Sequence, residues 1–243
     1  MKSLPQRRAA CSRLAERHYP KASRRDQRLR MAVLSRLGPQ AALLDAGCGP
    51  WLGHARMHAG ECRLAVGMDR EPLRPEARAS GARAVRGDLA APPFAGRSFD
   101  VIVMRSVMEH LADPEEVLRR MAGMLRPGGV IVALAPSRWY YASLVGRAMP
   151  EAIARRILRF VFGETVYDNF PTYYRANTPR AVARLARAAG LEMSEAAVCP
   201  HPPDYLKFSP LLFRLGIAYD RAAGAWSATH VLQASFLYVL RKP

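Results

Sequence analysis

Lysine is nearly missing from these 243 residues: the 37 basic side chains comprise 33 arginines and four lysines, set against 20 acids for a net charge of +17. An arginine excess alongside abundant alanine is what GC-rich codons produce, so the charge alone does not prescribe a nucleic-acid partner, although phosphate neutralisation would exploit it. Cysteine is also sparse. Cys11, Cys48, Cys62 and Cys199 are spaced 37, 14 and 137 residues apart, with no C-x-x-C pair and no nearby histidine set, which argues against a tetrahedral zinc site and a disulfide framework. No apolar run reaches the roughly 18–20 residues that span a bilayer, and MKSLPQRRAACSRLAERHY lacks the apolar stretch that directs secretion. The expectation is a soluble, cytoplasmic protein without a metal.

The charge that is present is uneven. Residues 1–30 carry ten basic and two acidic side chains, net +8, leaving +9 for the other 213. An Arg-rich, acid-poor arm also has the composition of a mitochondrial presequence. From Asp26, however, Leu29, Val33, Leu34 and Leu37 recur at helical spacing up to Gly38-Pro39, so the arm runs directly into a helix with a face to bury. Such an arm suits anionic headgroups or another acidic surface.

After Gly38-Pro39 short apolar runs alternate with helical patterns, which predicts a parallel sheet wrapped by helices. Strands are predicted near 41–46, 63–68, 82–86, 99–104 and 129–135. A helix is predicted over 114–125: Asp113 suits the N-cap and Pro114 the first turn, Val117, Leu118, Met121 and Leu125 share one face, and Pro127-Gly128-Gly129 is read as the stop. Residues 138–162 read as two helical stretches hinged at Met149-Pro150. Thr178 caps a helix ending at Gly190, and 191–199 and 234–241 read as two more strands. The whole, 1–243, is read as one domain: a basic arm and helix (1–38), a core (39–137), cap insertions (138–177 and 200–230) and closing elements (178–199 and 231–243).

Ligands of an open parallel sheet bind beyond the carboxyl ends of its strands. Three of those ends carry an acid: Asp45 in LLDAGCGPW, Asp69 in VGMDREP and Asp88 in VRGDLAAPPF. Gly47 and Gly49 make a tight turn where backbone can approach a ligand. Asp69 lies 22 residues beyond Gly47, near the roughly 20-residue interval at which a carboxylate takes a ribose diol. The turn continues Cys48-Gly49-Pro50-Trp51-Leu52-Gly53, and Pro50 has no N–H to offer a pyrophosphate. A G-x-x-x-x-G-K-[ST] phosphate loop is missing too. Three acids repel phosphates and suit a ligand carrying an ammonium and a sulfonium, which favours S-adenosylmethionine over NAD or ATP.

LLDAGCGPW, GMDREP, GDLAAPPF, FDVIVMRSVMEHLADPEEVL and MLRPGGVIVALAPS, in this order over about residues 41–137, resemble the class I S-adenosylmethionine-dependent methyltransferases, in the style of the ubiquinone and menaquinone biosynthetic enzymes. The resemblance implies an α/β, Rossmann-like, doubly wound sheet of seven strands, mostly parallel with the last antiparallel, and methyl transfer that leaves S-adenosylhomocysteine. It also implies that Asp45, Gly47 and Gly49 face the methionine part and Asp69 the ribose, with Arg70 beside the adenine and Asp88 and Leu89 at its amino edge. Arg105 and Ser106 would close over the methionine moiety, and Tyr19 would cover its carboxylate. Arg105 departs from the small residue expected at its place.

Catalytic candidates on the acceptor side are His110, Tyr173 and Tyr174, any of which could take a proton from a hydroxyl or an acidic carbon. Arg175, Asn177, His201 and Tyr205 are candidate substrate contacts. The apolar stretch 205–213 suits a lid, a homodimer face or a membrane-surface contact. The acceptor is read as a small hydrophobic or amphipathic metabolite. A nucleic-acid methyltransferase is the weaker reading, because Met104-Arg105-Ser106-Val107 stands where amino-group enzymes of that kind carry Asn/Asp-Pro-Pro-Tyr; a non-catalytic cofactor-binding partner subunit is the third.

Overall fold

The computed structural model describes residues 3–21, 24–72, 74, 81–162 and 170–243. The apolar runs form one seven-stranded sheet: β1 (Ala42–Ala46), β2 (Leu64–Asp69), β3 (Arg83–Arg86), β4 (Phe99–Arg105), β5 (Leu125–Pro136), β6 (Glu192–Cys199) and β7 (Ser235–Arg241), in the spatial order β3-β2-β1-β4-β5-β7-β6. β1 is buried at every position, as a central strand covered on both faces must be. It pairs in parallel with β2 and β4, and the parallel run continues to β3 and β5. β7 runs the other way, as expected: the Gly128 amide donates to the Lys242 carbonyl (3.0 Å) at one end, and the Ser137 amide donates to that of Ala234 (3.0 Å) at the other.

The helices are α1 (Leu4–His18), α2 (Arg25–Leu34), α3 (Gly53–His58), α4 (Pro114–Met124), α5 (Tyr141–Ala148), α6 (Glu151–Phe162), α7 (Pro179–Ala188) and α8 (Pro210–Gly224). Asp113 caps α4 by accepting the Glu116 amide (3.1 Å), and Thr178 caps α7 by accepting that of Ala181 (3.3 Å). The stop of α4 falls upstream of the expected one. Leu125 turns extended (φ −71°, ψ 141°) to pair with Phe99 and is fully buried there, so Pro127-Gly128-Gly129 lies inside β5 rather than after a helix.

Two compact units divide these elements. A sheet unit holds Leu29–Ala135, Tyr173–Ala197 and Phe236–Pro243; a helical unit holds Met1–Arg28, Pro136–Thr172 and Val198–Ser235. In the helical unit the arm is itself a helix, α1, beyond what its polar sequence suggests. Its apolar stripe is short and of small residues: Cys11 and Ala15 pack with Phe213 and Ile217 of α8 and with Tyr19. Ser209 accepts the Leu212 amide to open α8, and Pro210 follows in its first turn. Among the described residues no helix is long and apolar enough to cross a membrane.

Candidate active site

The turn after β1 is built around a buried acid. Asp45 is 1 % exposed, and its Oδ2 accepts the amides of His54 (2.6 Å) and Ala55 (3.1 Å), tying the end of β1 to the start of α3. Burial pushes its carboxyl up to about 7, while the two N–H bonds and the charge of Arg105 oppose that rise. Gly47 (φ +79°) donates to the Met68 carbonyl (2.8 Å), and a Cβ there would sit 2.5 Å from Val107 Cγ2. Gly49 (φ +64°) has no atom within 4 Å of the place a Cβ would occupy, so its backbone is open to a ligand. Cys48 is buried beside Leu52; burial, then Asp45 and Asp69, push its thiol up, so it stays protonated and inert.

The tips of β2 and β3 complete the sheet side. Asp69 accepts the Gly49 amide on Oδ2 (2.7 Å) and that of Glu71 on Oδ1 (3.0 Å). Each of these oxygens has two lone pairs, so both can accept again from a diol. Asp88 receives the Ala90 amide on Oδ1 (2.9 Å), and its Oδ2 lies 3.8 Å from Arg70 Nε; Leu89 follows in the same turn. Arg105 is the exposed last residue of β4, and Ser106 (φ +54°) donates its amide to Leu134 (2.8 Å). Asp45, Gly47, Gly49, Asp69, Arg70, Asp88, Leu89, Arg105 and Ser106 therefore gather at the carboxyl ends of β1–β4.

A second set meets at a 3₁₀ turn after β4, Met108–His110. The Glu109 carbonyl accepts from both the Tyr173 amide (2.7 Å) and the Tyr174 amide (3.2 Å), and Arg175 Nη1 donates to the Ala112 carbonyl (2.6 Å). The Arg175 guanidinium lies 5.7 Å from the Tyr173 ring centre. His110 Nε2 is 4.0 Å from Glu109 Oε1. Tyr173, Tyr174, Arg175 and His110 are thus neighbours in space, and Asn177 is fully buried just beyond them.

Tyr19, His201 and Tyr205 belong to the helical unit and have their contacts there. Tyr19 is buried and donates its hydroxyl to Asp220 Oδ2 (2.5 Å). His201 Nε2 lies 3.6 Å from Asp204; burial and Arg25 pull its imidazole down to about 4, Asp204 opposing, so it is neutral at pH 7. Tyr205 is half-exposed. The sequence reading missed Asp220, which burial raises to about 6 near the rings of Tyr140, Tyr141 and Tyr219. Its signal was legible: Phe213, Ile217 and Asp220 share one helical face, so an acid stands at a core position.

Residues 44–133 match the family model described as a methyltransferase domain. Over these residues the chain carries a class I S-adenosylmethionine-dependent methyltransferase domain. It is 26 % identical to a ubiquinone biosynthesis O-methyltransferase of Ralstonia nicotianae over 88 % of this chain and 83 % of that protein. A protein of the same description from Cupriavidus pinatubonensis is 29 % identical, over 63 % of this chain and 61 % of its own. In fold it is similar to an S-adenosylmethionine-dependent methyltransferase of Mesorhizobium loti (TM-score 0.59, 16 % identity, 90 % of this chain and 98 % of that one). The residues present fit the donor: the backbone at Gly49 is open, a carboxylate stands at the β2 tip, and Pro50 withholds the N–H that a diphosphate would need.

Proposed function

We propose that the chain methylates a small hydrophobic or amphipathic metabolite, with the donor held at the tips of β1–β4 and the acceptor placed by the segment around Tyr173. The supporting observation is the double hydrogen bond from the Tyr173 and Tyr174 amides to the Glu109 carbonyl, which fixes two tyrosines and an arginine a few residues from the end of β4. The ubiquinone biosynthesis O-methyltransferases to which the chain is similar support an apolar acceptor.

S-adenosylmethionine, when bound, supplies a methyl group already activated on a sulfonium. The protein's work is alignment to about 3–3.5 Å and exclusion of water. Asp69 accepts the ribose hydroxyls, while Arg70, Asp88 and Leu89 line the adenine end. The Asp45–Gly49 turn, Arg105 and Ser106 line the methionine end. On the acceptor side Tyr173 offers an aromatic face and Arg175 a polar anchor, with Asn177 fully buried next to them, and His110 or the deprotonated phenolate of Tyr173 or Tyr174 takes the proton of a hydroxyl acceptor.

Incubating the protein with methyl-labelled donor and a host metabolite extract, followed by mass spectrometry, tests this. Label is expected in a small apolar metabolite, and Tyr173→Ala should raise KM for it with little change in donor affinity. Label confined to RNA, or label in no fraction, overturns the reading.

A further inference from the structure

Helix α6, EAIARRILRFVF, has two faces with different fates. Val161 is buried, and Arg8 of α1 donates to the Phe160 carbonyl (2.7 Å) and the Val161 carbonyl (3.1 Å), so the end of the helix is anchored within its unit. Ile153, Ile157 and Phe160, spaced four and three residues apart on one face, are instead 51, 41 and 55 % exposed. They border an open recess of about 510 Å³ together with Ala152 and Arg156. α8 of the same unit shows a similar pair, Leu211 at 68 % and Leu215 at 57 % exposure, while Phe213 between them is buried. Large aliphatic groups left in water on this scale call for a cover.

The charge around α6 selects the cover. Between residues 138 and 162 there are five arginines and one acid, Glu151. A second copy laid against this face would set arginine against arginine. A nucleic acid would meet the arginines and leave the isoleucines in water. An anionic bilayer satisfies both, because headgroups take the cations while the acyl boundary takes the apolar stripe. We propose that the Ile153–Ile157–Phe160 face of α6, flanked by Arg156 and Arg159, docks on an anionic lipid surface. The docking is independent of which acceptor is methylated.

Flotation of the full chain with vesicles tests it, comparing phosphatidylcholine alone with phosphatidylcholine containing phosphatidylglycerol. The protein partitions onto the acidic vesicles, and added salt weakens but does not abolish the binding. Ile153→Asp with Ile157→Asp lowers partitioning by more than about 100-fold; Arg156→Gln with Arg159→Gln lowers it by about 30-fold. Both pairs keep wild-type circular dichroism and donor affinity, which separates a lost surface from a lost fold. Equal binding to neutral and acidic vesicles, binding to neither, or partitioning untouched by the isoleucine pair overturns the proposal. A dimer in sedimentation that Ile153→Asp with Ile157→Asp dissociates, without vesicle binding, assigns the face to a second copy and also overturns it.

Discussion

The sheet unit and the helical unit each bury an acid, Asp45 and Asp220, and burial raises the first to about 7 and the second to about 6. Their partners differ in kind. Asp45 accepts two backbone amides nine and ten residues further on, whereas Asp220 accepts the hydroxyl of Tyr19, 201 residues away. A strand-turn-helix motif can therefore carry the solution for its own buried charge within a dozen residues. The helical unit reaches its solution only after α1 and α8 have met, and it leaves apolar side chains of α6 and α8 in water.

Five substitutions would break or sharpen this contrast. Phe213→Ala strikes the α1–α8 contact where the ring is fully buried; a loss of about 3–5 kcal/mol is expected from denaturant unfolding. Gly47→Ala strikes the sheet unit's turn, combining a positive φ with a methyl driven into Val107; about 2–4 kcal/mol should be lost in the same measurement. The third concerns pH. The folded chain holds a proton on Asp220 up to about pH 6, while an unfolded aspartate releases it near 3.8. This acid therefore makes stability fall as pH rises from about 4 to about 6. Asp220→Asn should remove that part of the decline, about 2–3 kcal/mol, from unfolding curves taken across this range. The part due to Asp45, which extends to about pH 7, should remain. Next, Asp69→Ala should weaken S-adenosylmethionine binding by about tenfold or more in calorimetry, since charged acceptors are worth roughly 1.5–3 kcal/mol per hydrogen bond. Smallest is Leu211→Ser at a site already 68 % exposed: a change within about 0.5 kcal/mol is expected.

The same contrast explains what could be read from the sequence. The β1–β5 order, the caps Asp113 and Thr178, and the meeting of Asp45, Gly49 and Asp69 all rest on patterns within about one strand-helix unit, where periodicity and turn chemistry act. α1 was not legible because its buried stripe, Cys11 and Ala15, is small and gains meaning only from Phe213 and Ile217. The end of α4 was misplaced because Gly-Gly after a helical pattern reads as a stop, while the pairing of Leu125 with Phe99 decides otherwise. The grouping of Tyr173 and Arg175 with the turn at Glu109 was legible as proximity to a strand end. The backbone bonds that enforce it have no sequence signature.

Those two bonds to one carbonyl carry a consequence for how such a chain diversifies. The path of residues 173 and 174 is pinned through main-chain atoms, which every replacement except proline retains. The side chain at 173 can be exchanged without the loop losing its moorings, whereas Tyr174, at φ +52°, resists branched replacements, so a shift in preferred acceptor would require new chemistry on an old track rather than a redrawn one.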